Sequence, residues 1–327
     1  MLAFFLRRVL QSAVVLGLVA FIAFALFNFT GDPVAFMVGP EATIQDRQHL
    51  RAELGLDQPF YVQFARFVVN AVHGEFGRSL RQGRAVSTLI KERLPATLEL
   101  STAAAVLALA IGIPLGVYTA LHRRGWVSQL LLAASLVGVS LPTFLIGILL
   151  ILVFAVQLKW LPSFGRGDTV ALGWWTTGLL TLSGWKALIL PAITLSLFQM
   201  TLIMRLVRAE MLEVLRTDYI KFARARGLSD RAIHFGHALK NTLVPVITIT
   251  GLQLGAIIAF AIITETVFQW PGMGLLFIQA VNFSDVPVMA AYLCFIALVF
   301  VFLNFIVDAL YYAVDPRLRI ERTATAA

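Results

Sequence analysis

The sequence predicts an all-α polytopic membrane protein, and three observations carry that reading. The 327 residues are 59% hydrophobic and 13% charged, about half the charged share of a soluble domain. Mean hydropathy is +0.84. Apolar runs long enough to cross a hydrocarbon core recur along the chain, and the short loops alternate between basic and poor in Lys/Arg. That asymmetry orients membrane helices, so the net charge of +8 argues for orientation rather than nucleic-acid binding. The single cysteine, Cys294, lies in an apolar run, which excludes an intrachain disulfide.

Arg7 and Arg8 precede an apolar run from Val9 to Phe29, about 31 Å as a helix, enough to span. It is longer than a signal-peptide core and lacks a cleavage site, so it reads as an uncleaved first span with its N-terminus inside. Thr30 to Thr97 is mixed, with eight Lys/Arg and seven Asp/Glu, and holds short helical patterns over Ile44–Leu54 and Phe60–Val72. Its length places it outside, although Arg78, Arg81, Arg84, Lys91 and Arg93 argue mildly for the other side. Leu98–Leu121 is the second span; Gly112, Pro114 and Gly116 should kink it. The basic loop His122-Arg123-Arg124 follows, inside. Gln129–Leu158 is the third span, interrupted by Pro142. Lys159–Lys186 is outside and rich in tryptophan (Trp160, Trp174, Trp175, Trp185), as expected at a headgroup interface. Within it, Val170–Leu182 is too short to cross and reads as an interfacial segment.

Ile189–Met204, extended to Arg208, is the fourth span. Val244–Phe268 is the fifth, followed by Gln269–Pro287 without Lys or Arg, outside. Val288–Tyr312 is the sixth, and the tail bears Arg317, Arg319 and Arg322, inside. The organisation is residues 1–29, N-terminus and first span; 30–97, a large extracytoplasmic loop; 98–312, a membrane core of five spans; and 313–327, a cytoplasmic tail. This is one membrane domain with an inserted external loop, in the cytoplasmic membrane with both ends inside.

The long charged segment between spans is Arg205–Asn241. It carries eight Lys/Arg against four Asp/Glu. Its first half reads as an amphipathic helix, with Met211, Leu215, Tyr219 and Phe222 on one face and Glu213, Thr217, Lys221 and Arg224 on another. Gly227 stops that helix, because glycine tolerates the left-handed conformation of a C-cap. Ser229 offers an N-cap for the next. A loop that only sets topology needs neither the length nor the apolar stripe.

The chain has no G-x-x-x-x-G-K-[ST], no third glycine after Gly272-Met273-Gly274, no G-x-S-x-G and no H-E-x-x-H. His234 and His237 stand three apart with no further ligand type beside them, so they read as helix-surface histidines and no metal site is expected. Glu265 and Asp308 lie near span ends, where solvation is cheap. Midplane carboxylates, which an ion-coupled carrier would use, are not evident, and a membrane-embedded enzyme would need a nucleophile, base or metal constellation.

Asp218-Tyr219-Ile220-Lys221-Phe222-Ala223-Arg224-Ala225-Arg226-Gly227-Leu228-Ser229, with His237-Ala238-Leu239-Lys240-Asn241-Thr242-Leu243-Val244-Pro245, resembles the EAA loop of ABC importer permeases, in particular the dipeptide/oligopeptide/nickel subfamily. Gly31-Asp32-Pro33, Leu54-Gly55-Leu56-Asp57-Gln58-Pro59, Arg93-Leu94-Pro95-Ala96-Thr97-Leu98-Glu99-Leu100, Glu265 to Gly274 and Asp315-Pro316-Arg317 are similar to that subfamily too, and the chain looks most like its B-type first permease subunit. The loop departs from the general pattern: Lys221 stands where the signature Glu would be and Phe222 where the first Ala would be. Only Ala223 and Gly227 match, so no carboxylate contact is expected from that position.

The resemblance implies a type I importer permease fold with six transmembrane helices. It implies that residues 205–243 form a coupling loop docked on a cytoplasmic ATPase. The partners implied are a second, related permease, two ATP-binding subunits and an extracytoplasmic solute-binding protein. ATP and Mg would sit on the ATPase subunits and no cofactor on this chain, which would not be an enzyme. Residues 30–97 and the tryptophan-rich loop suit docking of the binding protein, with Trp160, Trp174, Trp270 and Gly272 as outer-gate or binding-protein contacts. The solute would be a di- or oligopeptide, or else a nickel chelate, glutathione or heme. An ABC exporter half is disfavoured by the missing ATPase domain.

Overall fold

A computed structural model describes residues 2–29, 34, 43–45, 48, 49, 52 and 57–314, the side chains of 2–7, 27–29, 137, 244, 248, 252, 254 and 308–314 excepted. Gly31-Asp32-Pro33, just over half of Ile44–Leu54, residues 54–56 of Leu54–Pro59, the Asp308 side chain and the tail from Asp315 lie outside the described residues.

The described chain is mostly helical. In order, the helices are α1 (Leu2–Phe29), α2 (Phe60–Val72), α3 (Val86–Leu121), α4 (Trp126–Ser140), α5 (Thr143–Leu150), α6 (Leu182–Val214), α7 (Asp218–Ala225), α8 (Leu239–Val267), α9 (Met273–Asn282) and α10 (Val286–Val314). Ile151–Gln157 and Ala232–Ala238 are wider-wound π segments. The all-α expectation is corrected at one place. Val170–Leu172 and Trp175–Thr177 pair as a two-stranded hairpin, turned by Gly173 at φ +67°, a conformation glycine adopts without steric cost.

Four helices are long and apolar enough to cross a membrane: α1, α3, α6 and α10. Two bent pairs bring the number to six if each counts as one span. α4 and α5 meet at 109° across Leu141-Pro142, where proline supplies no backbone donor and disfavours helical geometry in the residue before it. α8 bends by 46° between Gly251 and Gly255. Pro114 lies within the unbroken α3, which begins at Val86, well before the apolar run.

By contacts the chain forms two compact units, each made of several stretches of the sequence. The first comprises residues 1–96, 171–176 and 271–301. Its core joins Val86 and Leu89 of α3 to Leu276 and Ala280 of α9 and to Val288 and Ala291 of α10. Phe21 and Phe24 of α1 meet Phe60 and Phe64 of α2 at ring-centroid distances of 5.0–6.1 Å, within the range of favourable aromatic pairs. Asp285 is buried and accepts from Ser79 Oγ and from the backbone N–H of Leu80 at 3.0 Å.

The second unit comprises residues 97–170, 177–270 and 302–327. Its core runs along α3 and α6 to α7 and the start of α8, through Ala108, Val117, Ala120, Val207, Met211, Ile220 and Val246. α3 lies close against α6. A Cβ added at Gly116 would stand 2.6 Å from Val207 Cβ and 2.8 Å from the Met204 carbonyl oxygen, so glycine is required for this approach.

Candidate coupling site

The charged segment folds as two short helical pieces at the end of α6. α6 stops at Val214, residues 215–217 turn, and α7 runs from Asp218 to Ala225. This corrects the single amphipathic helix through Met211, Leu215, Tyr219 and Phe222. The turn rotates the chain, so that the buried face passes from Met211 to Ile220 and Ala223, while Tyr219 is 50% and Phe222 64% exposed. Thr217 precedes α7 in extended backbone and Asp218 sits in its first turn, where a carboxylate favours the helix dipole.

α7 ends in a full Schellman arrangement. Gly227 takes φ +78°. Its N–H donates to the Arg224 carbonyl at 2.9 Å, and the Leu228 N–H donates to that of Ala223 at 3.4 Å. Ser229 Oγ then accepts from the Ala232 N–H at 3.4 Å, and the π segment leads into α8.

Three constraints hold α7 in place. Ile220 and Ala223 are buried with Ile233, Ala238, Val207 and Met211; full burial of a side chain such as Ile220 is worth about 1.5–3 kcal/mol. Tyr219 Oη lies 2.6 Å from His237 Nδ1. The cap at Gly227 fixes the exit. His237 is therefore not a plain surface histidine, since it ties α7 to the π segment. Lys221, at the position of the motif's acidic residue, pairs with Asp218 at 2.8 Å with both side chains largely exposed, a pair of little energetic weight. Arg226 has its guanidinium carbon 5.9 Å from the Phe222 ring centroid. Ala225 and Arg226 are exposed. The result is a fixed helix whose outer edge exposes Tyr219 and Phe222.

The four residues assigned to an outer surface divide. Trp160 and Trp174 are exposed, whereas Trp270 is 1% exposed and Gly272 is buried. Glu265 is also fully buried, which corrects its placement near solvent. Its carboxylate accepts from Thr97 Oγ1 at 2.6 Å, and its carbonyl accepts from the Trp270 N–H at 2.8 Å. The sequence reading missed a further buried carboxylate. Glu99 pairs with Arg166 at 2.6 Å, at 4% and 6% side-chain exposure, and accepts from the Gly178 N–H at 3.3 Å. The available signal was Glu99 at the head of an apolar run; its partner lies 67 residues away. Among the described residues no group of three or more His, Cys, Asp or Glu could hold a metal.

Comparison with known proteins fits this geometry. The family described as "Binding-protein-dependent transport system inner membrane component" matches residues 112–320. Its N-terminal counterpart matches residues 1–101. The chain is 37% identical over 332 residues to a protein of Alkalihalophilus pseudofirmus named dipeptide transport system permease protein DppB, covering 98% of this chain and 100% of the relative. It is 36% identical over 320 residues to the glutathione transport system permease protein GsiC of Escherichia coli K12, covering 98% and 99%. Among solved structures, the methionine ABC transporter MetNI in an inward-facing form superposes with a TM-score of 0.56 at 19% identity, over 69% of this chain and 96% of that one, a likeness of fold. The chain belongs to the family of binding-protein-dependent transport system inner membrane components, the permease part of ABC importers.

Proposed function

We propose that the chain is one of two related permease subunits of a peptide importer in the cytoplasmic membrane, and that α7 is its coupling element. The bent pairs α4–α5 and the two halves of α8 each count as one span, giving six, with both termini in the cytoplasm. Two cytoplasmic ATPase subunits bind ATP and Mg, and an extracytoplasmic binding protein delivers solute near residues 30–97, Trp160 and Trp174. The observation that carries this reading is the locked α7. Its inner face is buried with Val207 and Met211 of α6, and its outer edge presents aromatic side chains. Motion imposed on that edge by a partner would pass to a span helix as a rigid-body shift.

Peptides are the leading solute because relatives of near-equal length carry that name. Glutathione is the second reading, since a relative of 36% identity carries it and glutathione is itself a tripeptide. The test is ATP hydrolysis by the co-purified complex in liposomes, with its binding protein and each solute in turn. Di- or oligopeptide should stimulate turnover, and the purified chain alone should show none. ATP turnover by the pure chain would overturn the assignment.

A further inference from the structure

At the end of α3 and α6 from which α7 projects, a pocket of about 550 Å³ is lined by His122, Arg123, Arg216, Arg224 and His234 over an apolar floor. These five groups come from four different places: the α3–α4 loop, the turn after α6, α7 and the π segment. Among the described residues no carboxylate lines the pocket, and none of the three arginines is in an ion pair. His122 is oriented by its Nδ1, 3.3 Å from the Tyr118 carbonyl oxygen, and by stacking on the Tyr118 ring at 4.6 Å.

Cations near helix C-termini have an ordinary role, because each end carries roughly half a negative charge. Here α3, α6 and α7, whose last turn holds Arg224, supply about one and a half negative charges between them, against three guanidinium groups. A surplus of about one and a half positive charges is left facing one pocket. A topology signal requires basic residues in the loop, not their convergence from four segments on one pocket. Guanidinium groups match the oxygens of phosphate in geometry and charge, and the ends of span helices lie at headgroup level. We propose that this pocket is a phosphate site, filled by the headgroup of an anionic phospholipid or by soluble phosphate. Its occupancy would neutralise Arg216, just before α7, and Arg224, in the last turn of α7, and so steady that helix.

The test uses the full chain with its co-purifying subunits in mild detergent. Phosphatidylglycerol and, as a phosphate-free control, diacylglycerol are titrated and retention is read by native mass spectrometry. Inorganic phosphate is titrated separately and read by calorimetry. The variants are Arg123→Gln with Arg216→Gln, and Lys240→Gln, an exposed cation of the same segment outside the pocket. Size exclusion confirms that each remains monodisperse. Retention of phosphatidylglycerol but not diacylglycerol, weakened about tenfold per arginine lost and unchanged by Lys240→Gln, identifies the lipid as source. The same pattern with inorganic phosphate identifies the soluble ion. No binding in either titration, equal retention of diacylglycerol, or equal loss in Lys240→Gln overturns the proposal.

Discussion

Gly227 shows how much a single position can determine. Its φ of +78° closes α7, and no heavy atom lies within 4 Å of where a Cβ would stand. Any penalty on substitution is therefore backbone strain, about 1–3 kcal/mol, rather than a clash. Gly227→Val should leave the protein at normal abundance in membranes by immunoblot while uptake falls, and Gly227→Asn should be milder because asparagine tolerates the left-handed region. Wild-type uptake in Gly227→Val would make the cap incidental. The Glu99–Arg166 pair behaves differently, because both groups are buried. Glu99→Gln leaves an uncompensated guanidinium and should cost about 3–5 kcal/mol, whereas Glu99→Leu with Arg166→Leu should cost less. Thermal denaturation in detergent ranks the two, and a double variant less stable than the single would contradict this account. The cap was legible in the sequence because a glycine between two helical patterns is a local signal. The ion pair was not, since nothing in an apolar run announces a partner 67 residues on.

At the scale of elements, the stripe Met211, Leu215, Tyr219, Phe222 keeps helical spacing across a turn that contains neither glycine nor proline. Periodicity alone therefore ran α6 and α7 together and put the four side chains on one face of a single helix. The available cue was Thr217-Asp218, an N-terminal signature inside the pattern. Proline proved a position-dependent breaker. Pro142 opens α5 after a bend of 109°, while Pro191 sits inside α6 without breaking it. The approach of α3 to α6 rests on small residues, as membrane helix pairs commonly do. Gly116→Leu would drive its side chain into Val207 and the Met204 carbonyl. It should lower the amount of folded protein recovered from membranes several-fold, in keeping with overpacking costs of about 1–3 kcal/mol or more, while Gly74→Ala is expected to differ. At Gly74 the constraint is φ +76° with open space around it, so only local strain should follow.

For the whole molecule, hydropathy and loop charge were enough for the membrane class, and four spans stand on length and composition alone. The other two are bent pairs, whose count as spans a linear pattern cannot decide. Topology is testable on a Cys294→Ala background with an impermeant thiol reagent applied to intact cells. A cysteine at Thr43 should label and cysteines at Ser229 and Thr323 should be shielded; labelling at 229 would reverse the sidedness of α7. The central claim is that the outward edge of α7 transmits ATP-driven motion to the spans. Phe222→Asp addresses it most directly, because Phe222 is 64% exposed and its loss should not disturb the core. The measurement is solute uptake per ATP hydrolysed in liposomes holding the full complex. The account predicts that Phe222→Asp leaves the permease folded but lowers the uptake-to-hydrolysis ratio at least tenfold, about 1.4 kcal/mol of lost coupling, or releases the ATPase outright. Unchanged uptake per ATP with the ATPase still bound would contradict it.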